Sequence, residues 1–235
     1  MIWKVPYVDL SEQFKALRQE LIDEITRVMS SGNFILRDDV DRFEQNMANY
    51  LGVKHVIGVN SGTDALTLAV GALGLERGCE VITVAHTFVA TVAAVVHIGG
   101  RPVLVDIKED FNIDVQKVEQ AITERTRAII PVHLNGRMCQ MDELEAIAEK
   151  YDLIIIEDAA QALGSMFKGK KAGSFGAAGC FSLHPMKTLG CAGDGGFIST
   201  DDDRVANKIR LLRNHGQRSK TDIVCFGYNS RLDNL

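Results

Sequence analysis

The chain has 235 residues, 46% of them hydrophobic and 24% charged, which is enough apolar material for a full core and argues against a disordered chain. The formal net charge is −5 and no long run of Lys and Arg occurs, so nucleic acid is not an expected partner. The five cysteines, an odd number with no C-x-x-C pair, suggest neither a disulfide framework nor a zinc site, and a reducing, cytoplasmic location fits.

The opening MIWKVPYVDLSEQFK has no apolar stretch of the kind a secretory signal needs. Residues 10–51 then show helical spacing, with Phe14, Leu17, Leu21, Ile22, Ile25 and Met29 recurring at three and four. Ser30-Ser31-Gly32 breaks that helix. A second helix is expected at Val40–Leu51, with Gly52 as its stop. These residues, 1–50, are read as a helical segment that packs on a large domain spanning 51–235.

From residue 53 short β-branched runs alternate with helical segments. The strand candidates are His55–Val59, Glu80–Val84, Arg101–Val105, Ala128–Val132, Leu153–Ile156, Gly179–Leu183 and Gly196–Ser199. The helices between them are Asp64–Leu73, Thr87–Ile98, Val115–Ala121 and Met141–Lys150. Such alternation predicts βαβ units: an α/β fold of three layers, α/β/α, around a mostly parallel seven-stranded sheet. The runs VLV and LIII fit strands buried on both faces. Residues 81–100 carry no formal charge over a length that could span a bilayer, but His86, His97 and a terminal Gly-Gly interrupt them; a strand, a turn and a buried helix read better, and no membrane partner is expected. The final RLDNL reads as the start of a helix and as an unfinished chain.

Four features could carry chemistry. Lys187 is the one formally charged residue between Ala172 and Gly193. Loss of water around such a lysine favours the neutral amine that attacks an aldehyde; the plainer reading is a surface lysine reaching into water. Asp158 follows the strand candidate Leu153–Ile156 closely, where open α/β sheets bind ligands, and a carboxylate there can keep a pyridine nitrogen protonated. Asp158 could equally cap a following helix. Gln161 could reach the same cleft. Asn60-Ser61-Gly62-Thr63-Asp64 joins a strand to a helix N-terminus, which suits either a phosphate or plain capping. Phe88 could stack on a flat ring or fill the core. No dinucleotide or P-loop glycine pattern occurs, and no histidine pair has metal-ligand spacing.

Longer motifs now bear on these features. NSGTDAL at Asn60–Leu66, VITVAHTFVAT at Val81–Thr91, RPVLVDI at Arg101–Ile107, IIPVHLNG at Ile129–Gly136 and IIEDAAQALGS at Ile155–Ser165 stand in order along the chain. CFSLHPMKTLGCAGDGGF at Cys180–Phe197, LRNHG at Leu212–Gly216 and GYNSRLDNL at Gly227–Leu235 follow. Together they resemble the nucleotide-sugar aminotransferases that depend on pyridoxal 5'-phosphate (PLP), the DegT/StrS-type group of the aspartate aminotransferase superfamily, fold type I.

The resemblance implies that Lys187 holds PLP as a Schiff base and moves protons between substrate and cofactor. It implies that Asp158 pairs with the pyridine nitrogen, that Gln161 bonds near the ring hydroxyl and that Phe88 stacks on the ring. Gly62, Thr63 and Ser182 would hold the phosphate. Asn229 would reach the phosphate of a neighbouring subunit in a homodimer. The implied reaction moves an amino group, with glutamate as donor, to a keto-sugar carried on a nucleotide. Family members continue into a smaller C-terminal domain, which this chain is expected to lack. Two alternatives stand beside this reading: a PLP-binding regulatory module or inactive fragment, and a PLP-dependent sugar dehydratase, against which the lysine at 187 counts.

Overall fold

The computed structural model describes residues 5–235. The chain opens with α1 (Leu10–Ser31) and α2 (Asp38–Leu51), which end on Gly32 and Gly52 in left-handed conformation, as the helix-stop signals predict. Next come β1 (His55–Val59), α3 (Gly62–Ala72), β2 (Glu80–Val84), α4 (Val89–His97), β3 (Arg101–Val105), α5 (Val115–Gln120), β4 (Thr126–Ile130), α6 (Met141–Tyr151) and β5 (Ile154–Asp158). A short hairpin of β6 (Met166–Phe167) and β7 (Lys170–Lys171) precedes β8 (Ala178–Ser182), β9 (Gly196–Thr200) and α7 (Asp203–Leu212). A second small hairpin, β10 (Gln217–Ser219) with β11 (Asp222–Ile223), lies near the end.

Seven strands form one sheet in the order β1-β9-β8-β5-β4-β2-β3. Only β9 runs against its neighbours, so the sheet is mostly parallel, as expected. Alternate strand residues feed two cores because side chains alternate across a strand. Ile57, Val81, Ile130, Ile156 and Ile198 pack with Leu66, Val95 and Ile209 of α3, α4 and α7. Val56, Ile82, Ile129, Ile155 and Phe197 pack with Leu51, Val118 and Leu144 of α2, α5 and α6. The result is three layers.

The differences from expectation have local causes. β3 is an edge strand beside β2 alone, so Leu104 of the VLV run is 52% exposed rather than covered on both faces. β4 lies two residues earlier than its apolar run suggests, because Thr126 pairs with Glu80 at the start of β2. The last five residues are extended and not helical: Asp233 bridges Ile35, and Asn234 donates its N–H to the Phe34 carbonyl. Among the described residues no helix is long and apolar enough to cross a membrane.

α2 belongs to the core, whereas α1 buries Val28 alone and leaves Phe14, Leu17, Ile25 and Met29 exposed. A buried ion pair ties α2 to the residue after α7. Arg213 donates to the Glu44 carboxylate and to the Gly58 carbonyl at 2.8 Å, and the Gly58 N–H donates to Glu44 at 2.8 Å. Removing one partner of such a pair strands the other charge, at a cost of about 3–5 kcal/mol. Arg213→Ala is therefore expected to lower the denaturant midpoint by that equivalent, whereas Arg27→Ala, which breaks an exposed pair with Asp39, is expected to change it by about 1 kcal/mol or less. Equal effects in chemical denaturation would contradict this account.

Candidate functional site

The carboxyl ends of β1, β2, β5 and β8 point to one edge of the sheet, and the residues singled out in the sequence gather there. β5 extends two residues past its apolar run and ends on Glu157 and Asp158. No helix follows, so Asp158 is not a helix cap. Successive side chains face opposite ways, and the two acids meet different surroundings.

Glu157 is fully buried and saturated with donors. It accepts from the N–H groups of Gly173, Phe175 and Gly176 at 2.7–2.9 Å, and lies 3.0 Å from His133 Nε2. His133 Nδ1 accepts from the Cys139 N–H at 3.2 Å, which leaves Nε2 as the nitrogen that carries hydrogen toward Glu157.

Asp158 is 5% exposed and has two neutral partners. Thr91 Oγ1 donates to Oδ2 at 2.7 Å, and the Ala160 N–H donates to Oδ1 at 3.2 Å. Burial pushes the Asp158 carboxyl above its ordinary value of 3.8; the bonds from Thr91 and Ala160 and the fields of His133 and Lys187 pull the other way.

Lys187 sits in the loop after β8, half-buried, with its N–H bonded to the His184 carbonyl at 2.8 Å. Its charge is among those that lower the Asp158 carboxyl against the effect of burial.

The strand-to-helix turn after β1 forms a cradle. Ser61 caps α3 through its Oγ, which accepts from the Asp64 N–H at 3.1 Å. Gly62 lies so close to β8 that a Cβ there would stand 2.7 Å from Ser182 Cβ. Gly196 at the start of β9 allows the same approach, since a Cβ on it would meet the Ser61 carbonyl carbon at 2.5 Å. Gly62, Thr63 and Ser182 therefore surround a helix N-terminus, whose dipole and free N–H groups suit an anion.

Gln161 accepts at Oε1 from the N–H of Asn135, a residue with φ of 53°. Phe88 precedes α4 and is 70% exposed, which removes the core reading of that residue. Asn229 is exposed and bridges Asn214; its neighbour Ser230 is buried and donates to Asp64 Oδ2 at 2.7 Å, pinning this segment to α3. Thr91, Glu157, His133 and Ser230 were not singled out from the sequence. A lone threonine in the buried face of VATVAAVVH was the available signal for Thr91. Two surface clefts of about 590 Å3 lie at the opposite, amino ends of the strands, one lined by Lys54 and Asp202, the other by Arg77, Arg125 and Arg127, and neither includes a residue of this site.

A helix N-terminus with free N–H groups, a buried acid held by neutral donors and a lysine on a loop, all at the carboxyl edge of an α/β sheet, form an arrangement suited to an anionic ligand. Comparison with known proteins narrows the class. The profile of the DegT/DnrJ/EryC1/StrS aminotransferase family matches residues 15–235, and the chain belongs to that family. It is 47% identical over 232 residues to "Pleiotropic regulatory protein" of Geobacillus stearothermophilus, covering 98% of this chain and 62% of the relative. It is 44% identical over 233 residues to "dTDP-3-amino-3,4,6-trideoxy-alpha-D-glucose transaminase" of Streptomyces venezuelae, covering 99% and 62%. The solved structure of ntda from Bacillus subtilis with bound cofactor PMP superposes with a TM-score of 0.93 at 36% identity, covering 100% of this chain and 54% of that one. The chain thus spans less than two thirds of the length of these relatives.

The raised Asp158 carboxyl has a consequence for stability. The folded state holds this proton to a higher pH than the unfolded chain. The resulting stabilisation is full below the ordinary value of 3.8 and is lost as pH rises through the raised folded value. Asp158→Asn removes the ionised form and is expected to raise the unfolding midpoint of the purified protein without added ligand near neutral pH, by the equivalent of about 1–3 kcal/mol. A lower midpoint at neutral pH, measured by thermal or urea denaturation, would contradict the assignment.

Proposed function

We propose that this chain binds pyridoxal 5'-phosphate and that the protein transfers an amino group to a keto-sugar carried on a nucleotide. The observation that carries the reading is the Asp158 carboxylate: buried, held by neutral donors and in the field of Lys187, it suits a protonated ring nitrogen. The Gly62–Ser182 cradle, which a Cβ at residue 62 would fill, suits the phosphate. The names of the Streptomyces and Bacillus proteins, a sugar-nucleotide transaminase and a protein with bound PMP, support the same class.

Bound PLP would supply a cationic conjugated ring that draws electron density from the carbon losing its proton. The remaining tasks fall to the chain. Lys187 Nζ would hold the cofactor covalently through its aldehyde, whose oxygen would leave as water, and once displaced by the donor amine it would move a proton between the substrate carbon and the cofactor in each half of the reaction. Asp158 keeps the ring nitrogen protonated. Gln161, fixed by Asn135, bonds beside the ring hydroxyl, and Phe88 presents an exposed ring face for stacking. Gly62, Thr63 and Ser182 hold the phosphate. The exchange balances with no outside oxidant or reductant: glutamate Cα is oxidised to the ketone of its 2-oxo acid, whose oxygen comes from water, while the sugar carbonyl carbon is reduced to the amine level and its oxygen leaves as water.

Residues 51–235 form the PLP-binding large domain in this reading, and residues 1–50 a helical segment packed on it. The protein acts as a homodimer in which the exposed Asn229 reaches the phosphate of the neighbouring subunit. The unpaired state of all five cysteines fits a cytoplasmic setting. The name of the Geobacillus relative favours a second reading, a PLP-binding regulatory protein without turnover. The lysine at 187 counts against a dehydratase.

Borohydride reduction after incubation with PLP is expected to leave a mass increase on the Lys187 peptide and none in Lys187→Ala. With 15N-glutamate and a panel of keto-sugar nucleotides, the label is expected in the sugar product. Fixed cofactor without label transfer would favour the regulatory reading; no fixed cofactor in the folded protein would overturn both.

A further inference from the structure

Thr91 is the third residue of α4 and is fully buried on a face otherwise made of Ala90, Ala94 and Val95. A hydroxyl placed there must find a partner or lose its hydration uncompensated. Three oxygens surround it: Asp158 Oδ2 at 2.7 Å, Thr87 Oγ1 at 2.7 Å and the Phe88 carbonyl at 3.2 Å. Thr91 has one hydroxyl proton. Of the two oxygens at 2.7 Å the carboxylate offers the charge-assisted bond, so the proton goes to Asp158. The Thr87 hydroxyl then donates to Thr91, and the i−3 carbonyl, the common partner of a helical threonine, is left as the weaker contact.

We infer that Thr91 is a positioning residue for the ring site: held by Thr87, it fixes the Asp158 carboxylate in one orientation toward a protonated ring nitrogen. The inference rests on the PLP reading above and adds a residue to which no role was given there.

The Cβ–Cγ torsion of aspartate is broad, so a carboxylate with one anchor swivels. Asp158 has an anchor on each oxygen, Thr91 on Oδ2 and the Ala160 N–H on Oδ1. The Ala160 anchor is longer, at 3.2 Å, and comes from a turn that any residue would supply. The Thr91 anchor comes from a β-branched side chain with few rotamers, in a different element 67 residues away. Thr91 also affects the sharing of the ring proton. Burial favours the protonated carboxyl, and the Thr91 hydrogen bond is the first of the influences that oppose it. The hydroxyl therefore helps Asp158 stay ionised and leave the proton on the ring nitrogen. The titratable groups that act on Asp158 from the elements packed against it are His133 after β4 and Lys187 after β8, and Cys180 on β8 pairs with it in register. All three are unchanged in the variants below.

The test compares wild type, Thr91→Val and Thr91→Ser after loading the purified protein with PLP. Two quantities are read: PLP affinity, and the pH midpoint of the visible absorption of the Lys187-linked cofactor. Valine keeps the shape and removes the donor. Affinity is expected to fall about 10-fold or more, the effect of losing a hydrogen bond to a charged group. The midpoint is expected to move to higher pH, because a less firmly protonated ring withdraws fewer electrons from the linkage to Lys187. Serine restores the hydroxyl and is expected to recover both. A threonine that served only to pack α4 would leave the midpoint in place. Wild-type affinity and midpoint in a folded Thr91→Val protein would overturn the role of Thr91 alone. Absence of the visible band in wild type would overturn the PLP reading and this inference with it. If Thr91→Val does not fold, Thr87→Ala, at a half-buried position, carries the test: a smaller shift in the same direction supports the role, and no shift overturns it.

Discussion

Two adjacent carboxylates at the end of β5 organise this structure, and their different surroundings explain its shape. Glu157 is buried but saturated, with three backbone N–H groups and His133 as partners. It holds the 173–176 loop against β5 and orders the polar end of the sheet. Asp158, one residue on, is buried with two neutral donors. A buried carboxylate without a matching cation costs free energy, and a folded protein tolerates the cost where a ligand offsets it. The neighbouring features gather around that acid: the close approach of Gly62 to Ser182 at the α3 N-terminus, the loop that carries Lys187, and the threonine on α4 that anchors the acid.

The sheet order makes the arrangement possible. β9 is the one antiparallel strand, and it lies between β1 and β8. Its first residue, Gly196, is at the same edge as the last residues of its neighbours and has no side chain to block the Ser61 backbone. The cradle is thus closed by the absence of two Cβ atoms, at Gly62 and Gly196. β5 and β2 lie further along the sheet, separated by β4, and the α4 helix that follows β2 crosses back so that Thr91 meets Asp158.

Much of this was legible in the sequence because the βαβ alternation leaves a strong periodic signal. All seven strands of the sheet and the helices between them correspond to apolar runs bounded by turn residues. The site candidates were singled out on different grounds: Lys187 as the one charge in an apolar stretch, Asp158 and Gly62 at strand ends, where this class of sheet binds ligands, and Ser182 through the family resemblance alone. What was not legible depends on distant contacts. The edge position of β3 follows from its lack of a second neighbour, not from its own residues. RLDNL has a helix-like opening, but its backbone pairs with Phe34 and Ile35, two hundred positions away in order of magnitude. Phe88 is exposed because it precedes α4 on the open edge, although its type predicts burial as readily. Thr91 gives no local sign that its hydroxyl, on α4, meets an acid on β5.

The central claim is that Asp158 holds a cationic ring nitrogen. Nuclear magnetic resonance of the protein loaded with PLP labelled with 15N in its ring tests this directly. The account predicts a protonated-nitrogen chemical shift across neutral pH, replaced by an unprotonated shift in Asp158→Ala. An unprotonated ring nitrogen in the wild-type protein at neutral pH would contradict it.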